Sequence, residues 1–343
     1  MKYQTLFKRG LGVGLMMTLL MGCSTPATQA PTLASPAFGP TTGPHTIVPT
    51  SQMGSPVEFV WRIKGEPYRL ARPAALAFDT QDNLYVIDGS NHRIQKFDRD
   101  GKFLLTWGSY GSADGQFIFR NNADHPGAIA VDAQGLVYVA DYNGFIQIFD
   151  SQGRFLRKWG GGNGTGDGQF VSPRCMGLDR QGNIYIADED QRASRVQKFD
   201  AQGHFLMKWD HTTNSTELVT HCLAVDSQDD VYVVNPSQFR IEKYDSNGNL
   251  LTMWGSQGIS DGRFGEPEGI AVDARGNIYV TDNRDNYRVE KFDSDGKFLG
   301  KWGNWGSDDG QFEYVFRIAI DSQGNIYVTD AGDNDSIQKF RPR

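Results

Sequence analysis

Six in-phase copies of a unit of about 47 residues, each with four short strand-like runs, and an orphan Trp-bearing strand before the first copy predict an all-β fold. The architecture they imply is a six-bladed β-propeller of four-stranded blades. The first strand of each copy ends in Asp: Asp79, Asp132, Asp179, Asp226, Asp273 and Asp321. The second reads "LYVID", "VYVAD", "IYIAD", "VYVVN", "IYVTD" and "IYVTD", its last residue stepping by 47 or 48 after one step of 53. The third is aromatic ("RIQKFD", "FIQIFD", "RVQKFD", "RIEKYD", "RVEKFD", "SIQKF"), and the fourth carries Trp107, Trp159, Trp209, Trp254 or Trp302. Alternation within each strand points one face at the neighbouring blade, so each blade needs two neighbours to be buried. The last copy stops after its third strand, and "EFVWRIKG" at Glu58–Gly65 supplies the missing fourth. Residues 57–65 are therefore expected to complete the last blade by pairing with residues 337–340. That closure removes the exposed edges.

Three regions precede or make up this ring. Residues 1–22 read as a signal peptide, with Lys2, Lys8 and Arg9 ahead of the twelve apolar or small residues Gly10–Met21. Such a run is too short to span a bilayer. It ends in "LMGC", which resembles a bacterial lipobox and implies cleavage before Cys23 and lipidation of its sulfur. Residues 23–56 hold half of the 14 prolines among Ser, Thr, Ala and Gly, a composition that reads as a disordered tether. Residues 57–343 are the propeller. The expected location is the cell envelope, as a lipid-anchored lipoprotein; Ser24 after the Cys favours the outer membrane in a Gram-negative cell. The chain carries a formal charge of −7, and loss of residues 1–22 makes it three units more negative. That balance argues against a nucleic-acid binder.

The spacing of "GSDDGQF" (Gly306–Phe312), "GIAVDARGNIYVTD" (Gly269–Asp282) and "RVEKFDSDGKFLGKWG" (Arg288–Gly303) resembles the NHL-repeat family, over Glu58–Arg343. The resemblance implies a monomeric propeller whose innermost strands run along a central channel, entered from the face with the longer loops. It does not by itself imply an activity, because one scaffold serves unrelated roles.

Residues shared by every blade are expected to serve the blade. The Asp before each "ARGN"- or "SQGN"-type turn bonds turn backbone, and the aromatic positions fill the seams. Function is sought where copies differ. Five residues before each inner-strand Asp stand Ala74, Gly127, Arg174, His221, Glu268 and Phe316. Three consecutive blades thus offer Arg, His and Glu at the channel mouth, a set able to bind an anion or to supply acid, base and oxyanion clamp. Asn235 replaces the usual Asp in the blade of His221, and Asp188, Asp282 and Asp330 elsewhere are expected to make this face acidic.

Two six-bladed relatives suggest metals. The peptidyl-hydroxyglycine amidating lyase holds its metal on several channel histidines, but here only His221 falls in the ring. The gluconolactonase-like family sets Glu, Asn and Asp around calcium, for which Glu268, Asn235 and Asp282 are a thin match. No cofactor is expected; channel calcium or zinc belongs to the alternative reading. The favoured function is non-catalytic: a scaffold presenting its long-loop face to a protein, peptide or glycan. Loops Gly108–Pro126 and Gly160–Pro173 supply Tyr110, Phe119, Arg120 and Asn121 as exposed candidates. The alternative is a metal-dependent lyase or lactone hydrolase using Arg174, His221 and Glu268. Cys175 and Cys222 occupy equivalent places in adjacent blades and are expected to be buried free thiols, on the premise that neighbouring inner strands splay apart.

Overall fold

In the computed structural model of the chain, the described residues are 56–65, 68–119, 127–189, 194–210, 222–332 and 335–343. The signal, Cys23 and nearly all of the tether lie outside them. Strand β1 (Val57–Lys64) comes first. Blade one follows as β2 (Pro73–Phe78), β3 (Leu84–Asp88), β4 (Arg93–Phe97) and β5 (Phe103–Trp107). Blade two is β6 (Ala128–Val131), β7 (Val137–Ala140), β8 (Ile146–Phe149) and β9 (Phe155–Trp159). Blade three is β10 (Pro173–Leu178), β11 (Ile184–Asp188), β12 (Arg195–Phe199) and β13 (Phe205–Asp210). Blade four is β14 (Leu223–Val225), β15 (Val231–Asn235), β16 (Arg240–Tyr244) and β17 (Leu250–Trp254). Blade five is β18 (Pro267–Val272), β19 (Ile278–Asp282), β20 (Arg288–Phe292) and β21 (Phe298–Trp302). Blade six is β22 (Val315–Ile320), β23 (Ile326–Asp330) and β24 (Ser336–Pro342), with β1 as its outermost strand. Every neighbouring pair is antiparallel, and Val57 to Lys64 pair with Pro342 to Ser336.

The second strands explain themselves. β3, β11, β15, β19 and β23 are buried at all five positions. A strand covered by a blade on each side must be apolar throughout, which is why these runs lack alternation. The outermost strands alternate because one face meets water. The seam is sealed by Trp: Trp107 meets Tyr85 at 6.2 Å and Phe149 of the next blade at 5.9 Å. A Cβ at Gly153 would lie 2.6 Å from the Trp107 ring, and one at Gly203 2.4 Å from Trp159. The turn glycine is therefore dictated both by its positive φ and by the indole lying on it.

The repeated Asp residues do what turn chemistry requires. Asp79 Oδ1 accepts from the backbone N–H groups of Gln81 and Asn83, at 3.0 and 2.9 Å. Its Oδ2 accepts from Tyr85 OH at 3.2 Å, a bond repeated between Tyr and Asp in the other five blades.

One expectation fails. Cys175 and Cys222 form a disulfide, with Cα atoms 4.9 Å apart. The inner strands do not splay at this end but converge. A Cβ on Gly269 of blade five would lie 2.6 Å from the Phe316 carbonyl of blade six. Thr281 Oγ1 donates across the same joint to that carbonyl at 2.7 Å.

Candidate functional site

The channel mouth is built where each blade's loop turns down into its innermost strand. An Asp at the end of the second strand fixes that turn. Asp282 Oδ1 accepts from Gly265 and Glu266 N–H, both at 2.9 Å, and Asp188 Oδ1 from Val171 and Ser172 at 2.9 and 2.8 Å. These carboxylates are completely buried. They are latches, and the expected acidic face of Asp188, Asp282 and Asp330 does not form, because their oxygens are used on loop backbone.

Asn235 stands at the same place but caps the short 3-10 turn Pro236–Gln238 that follows it. Its Oδ1 accepts from Gln238 N–H at 3.1 Å, while its Nδ2 donates to Glu242 at 3.0 Å. In blade one the roles are reversed: Gln95 Nε2 donates to Asp88 at 2.8 Å. Blade four has exchanged acid and amide between two positions, which keeps one donor facing one acceptor. Asn235 and Asp282 thus spend side-chain polar atoms within their own blades. Among the described residues no group of three or more His, Cys, Asp or Glu is arranged to hold a metal.

Blade five breaks the pairing, since Asp282 and Glu290 are both acids with Arg288 beside them. Arg288 Nη2 lies 2.7 Å from Glu290 Oε1, and its Nε 3.9 Å from Asp282 Oδ2. Burial pushes Asp282 up to about 6, against its backbone bonds. It pushes Glu290 up to about 7, with the Asp282 charge adding to the rise. A carboxyl with a raised folded pKa binds its proton more tightly when folded, so stability falls as pH rises from the unfolded to the folded value. The propeller is expected to lose about 1–3 kcal/mol between pH 5 and pH 8 on this account. Glu290→Gln restores the acid–amide pair and should flatten the slope. Urea midpoints of both chains at the two pH values decide it, and parallel slopes would refute the assignment.

Of the ring positions, Arg174 and Glu268 are buried, at 3% and 2% exposure. Arg174 Nε makes an ion pair with Glu189 of its own blade. Glu268 Oε1 accepts from Tyr314 OH at 3.1 Å, and its carbonyl accepts from Arg317 Nη1 at 3.0 Å. Arg317 Nη1 is 3.9 Å from Glu268 Oε2, so blade six clasps blade five. Burial holds the Tyr314 hydroxyl well above its usual range, with Glu268 and Glu266 reinforcing the effect. Burial also lowers Arg317, against the Glu268 charge. His221 lies outside the described residues, as do Arg120 and Asn121.

Glu189, Tyr314, Arg317 and Asn283 were not singled out from the sequence. Counting positions after the second strand, as was done before the first, reaches Glu189 and Asn283 at once. Arg317 was reachable too, one residue beyond the ring position Phe316. Below the mouth, a cavity of about 200 Å³ is lined by all six blades, including Leu76, Ile129, Met176, Leu223 and Ile270, with the disulfide and Arg317 on its wall.

The comparisons agree with this architecture. The NHL-repeat family model matches residues 70–97 and 264–292. The chain carries NHL repeats. It is 29% identical over 122 residues to Protein brain tumor of Drosophila melanogaster, a stretch covering 35% of this chain and 11% of that protein. It is 30% identical over 127 residues to NHL repeat-containing protein 3 of Mus musculus, covering 34% of each. The match thus spans about a third or less of these relatives. Among solved structures, a gluconolactonase from Xanthomonas campestris superposes with a TM-score of 0.56 at 18% identity, over 84% of this chain and 96% of that one. At that identity the likeness concerns the fold.

On the loop face of this NHL propeller, Tyr110 is 67% exposed, its ring 4.9 Å from His92. Phe119, expected to be exposed, is 1% exposed. It stacks on Phe117 at 5.1 Å, and its N–H donates to His92 Nδ1 at 3.1 Å. The reason is local: the loop folds back so that Phe117 and Phe119 plug the seam with blade two. Trp305, outside the Trp repeat, is 61% exposed at the position that Tyr110 occupies in its own loop.

Proposed function

We propose that the protein is a binding module held in the cell envelope, and that it receives a protein or peptide partner on its loop face. The observation that carries this is the pair of exposed aromatics on closed loops. Tyr110 bridges Phe117 and Trp305 bridges Phe312, and the bonds from Gly111 N–H to Phe117 and from Gly306 N–H to Phe312 pin each loop to itself. Large aromatics held rigidly in water lose little entropy on binding, and they are the residue types that dominate interface energies.

Replacing Tyr110 and Trp305 together by Ala is expected to leave the melt within about 0.5 kcal/mol of the parent, as exposed sites do. Photocrosslinking from residue 307 in living cells should then lose its partner bands. Retained bands with the double variant would remove the loop face from the reading. The anchor is tested separately. Cys23→Ala should move the protein from the membrane pellet to the soluble fraction, and retention in the pellet would refute lipidation.

The second reading, a metal-dependent lyase or lactone hydrolase, draws on the clustering of Glu268, Tyr314 and Arg317 in a fold shared with a gluconolactonase. Metal analysis of protein purified without chelators separates the two. Near-stoichiometric calcium or zinc, with lactone turnover lost in Glu268→Ala, would favour the enzyme.

A further inference from the structure

In blades two, three and six a third-strand glutamine grips the loop before its blade at two points. Gln147 Oε1 accepts from Gly115 N–H at 2.8 Å, and its Nε2 donates to the Gln116 carbonyl at 2.7 Å. Gln197 does the same to Gly168 and Gln169, at 3.0 and 2.8 Å. Gln338 does so to Gly310 and Gln311, at 2.8 and 2.7 Å. Blade five has Glu290 at this place. Its Oε1 accepts from Gly262 N–H at 3.4 Å, but its Oε2 is buried with no hydrogen-bond partner. Arg263, the residue after Gly262, stands where Gln169 stands. A carboxylate can only accept, whereas a protonated carboxyl has an O–H to give, as an amide has its N–H.

The acid and the loop carbonyl meet on one nitrogen. Arg288 Nη2 lies 2.7 Å from Glu290 Oε1 and 3.0 Å from the Arg263 carbonyl oxygen. Blade three shows that such a carbonyl takes a second donor: Arg195 Nη2 and Gln197 Nε2 both donate to Gln169 O, each at 2.8 Å. The surroundings otherwise correspond. Asp188 and Arg195 answer to Asp282 and Arg288, and the pair Lys208–Asp167, at 2.6 Å, answers to Lys301–Asp261, at 2.7 Å. Glu290 is therefore faced by Asp282 of β19, Arg288 of β20 and Lys301 of β21, the last neutralised by Asp261 of the loop. Burial and then Asp282 favour its proton, Arg288, Lys301 and the Gly262 bond oppose it, and the balance is the rise to about 7.

We propose that Glu290 is a proton-operated catch for the loop Ser256–Phe264. With a proton taken from solvent, the carboxyl donates to the Arg263 carbonyl and accepts from Gly262 N–H, as the glutamines do in their blades. Ionised, it turns a second acceptor toward that carbonyl. The loop then hangs on Arg288, through the carbonyls of Ile259, Ser260 and Arg263, and on the long Gly262 bond. This loop carries Ile259, which is 66% exposed. Acid thus fixes an apolar side chain on the loop face and alkali loosens it. The catch goes beyond the binding-module reading and stands without it.

The test is amide hydrogen exchange of the full chain near pH 5 and near pH 8, expressed as protection factors so that the intrinsic pH dependence of exchange cancels. Protection of Gly258, Gly262 and Phe264 is expected to fall roughly threefold to tenfold at the higher pH, the worth of one hydrogen bond. The corresponding amides of blade three's loop, Gly164, Gly168 and Phe170, should hold. Glu290→Gln should keep its protection at both pH values. Gln197→Glu rebuilds the blade-five trio beside Asp188 and Arg195, and it should carry the fall into blade three's loop. Flat protection in the parent, an equal fall in both of its loops, a fall retained in Glu290→Gln, or no fall in Gln197→Glu would each overturn the proposal.

Discussion

A chain beginning at Gly65 is expected to lose cooperative folding. Strand β1 buries Val57 and Ile63 and sets Trp61 against Tyr327 at 5.5 Å and Phe59 against Phe340 at 6.0 Å. Four such side chains contribute about 5–10 kcal/mol of burial, a sum comparable with the whole stability of a domain. Their loss also leaves β24 as an open edge with apolar side chains along it, a template for pairing with another copy. The control begins at Pro56, whose carbonyl accepts from Arg343 N–H at 3.0 Å, and it should melt like the parent. Circular dichroism melts and gel filtration of the two chains make the comparison. A monomeric chain from Gly65 with an unchanged melt would show that the ring closes without β1.

Removing the Cys175–Cys222 bridge is expected to be the second-largest effect. The two residues are 47 apart in sequence, and in the chain-entropy account a loop of that length corresponds to about 4 kcal/mol. For a domain of this size that is roughly a 10 °C fall in melting temperature. Calorimetry of the Cys175→Ser, Cys222→Ser double variant, and of the parent with reductant, gives the number. Peptide mapping without reductant should recover the linked pair. Superimposable melts with and without reductant would show that the bridge contributes nothing. The bridge lies beside Arg174 on the wall of the cavity, so losing it should also loosen blades three and four at the mouth, with the first opening in hydrogen exchange there.

The fold was legible because a propeller is a one-dimensional problem. Each unit repeats the same turns, and an Asp two residues before a turn backbone or a Trp over the next blade's glycine does the same work six times or nearly so. Trp61 carried the closure because it was the one repeat element found out of place. The site was less legible. Arg174 and Glu268 were found by comparing copies, and each is buried as the second residue of an inner strand. Their partners were missed: Glu189 and Arg317 stand at countable positions, but that Tyr314 and Arg317 of one blade meet Glu268 of another is a contact that no spacing within one blade reports. Phe119 was misjudged because loop length suggested exposure, whereas its side chain is packed with Phe117 in the seam with blade two. Asn235 was misread for a related reason. Taken alone it is a lost acid, but with Glu242 it is an acid and an amide exchanged.

The amino-acid sequence by itself determined the number of blades, the order of strands within them, the turn chemistry and the strand that shuts the ring. All of these depend on local backbone preference and on apolar periodicity, which neighbours in the chain can express. Only the tertiary structure decided that the inner strands converge closely enough to join Cys175 to Cys222 and that Arg317 clasps Glu268 across a blade boundary. It alone left the Asn283 amide buried without a partner. These depend on how far each blade is rotated and tilted against the next, a quantity set by the side chains of six seams acting together and written at no single position.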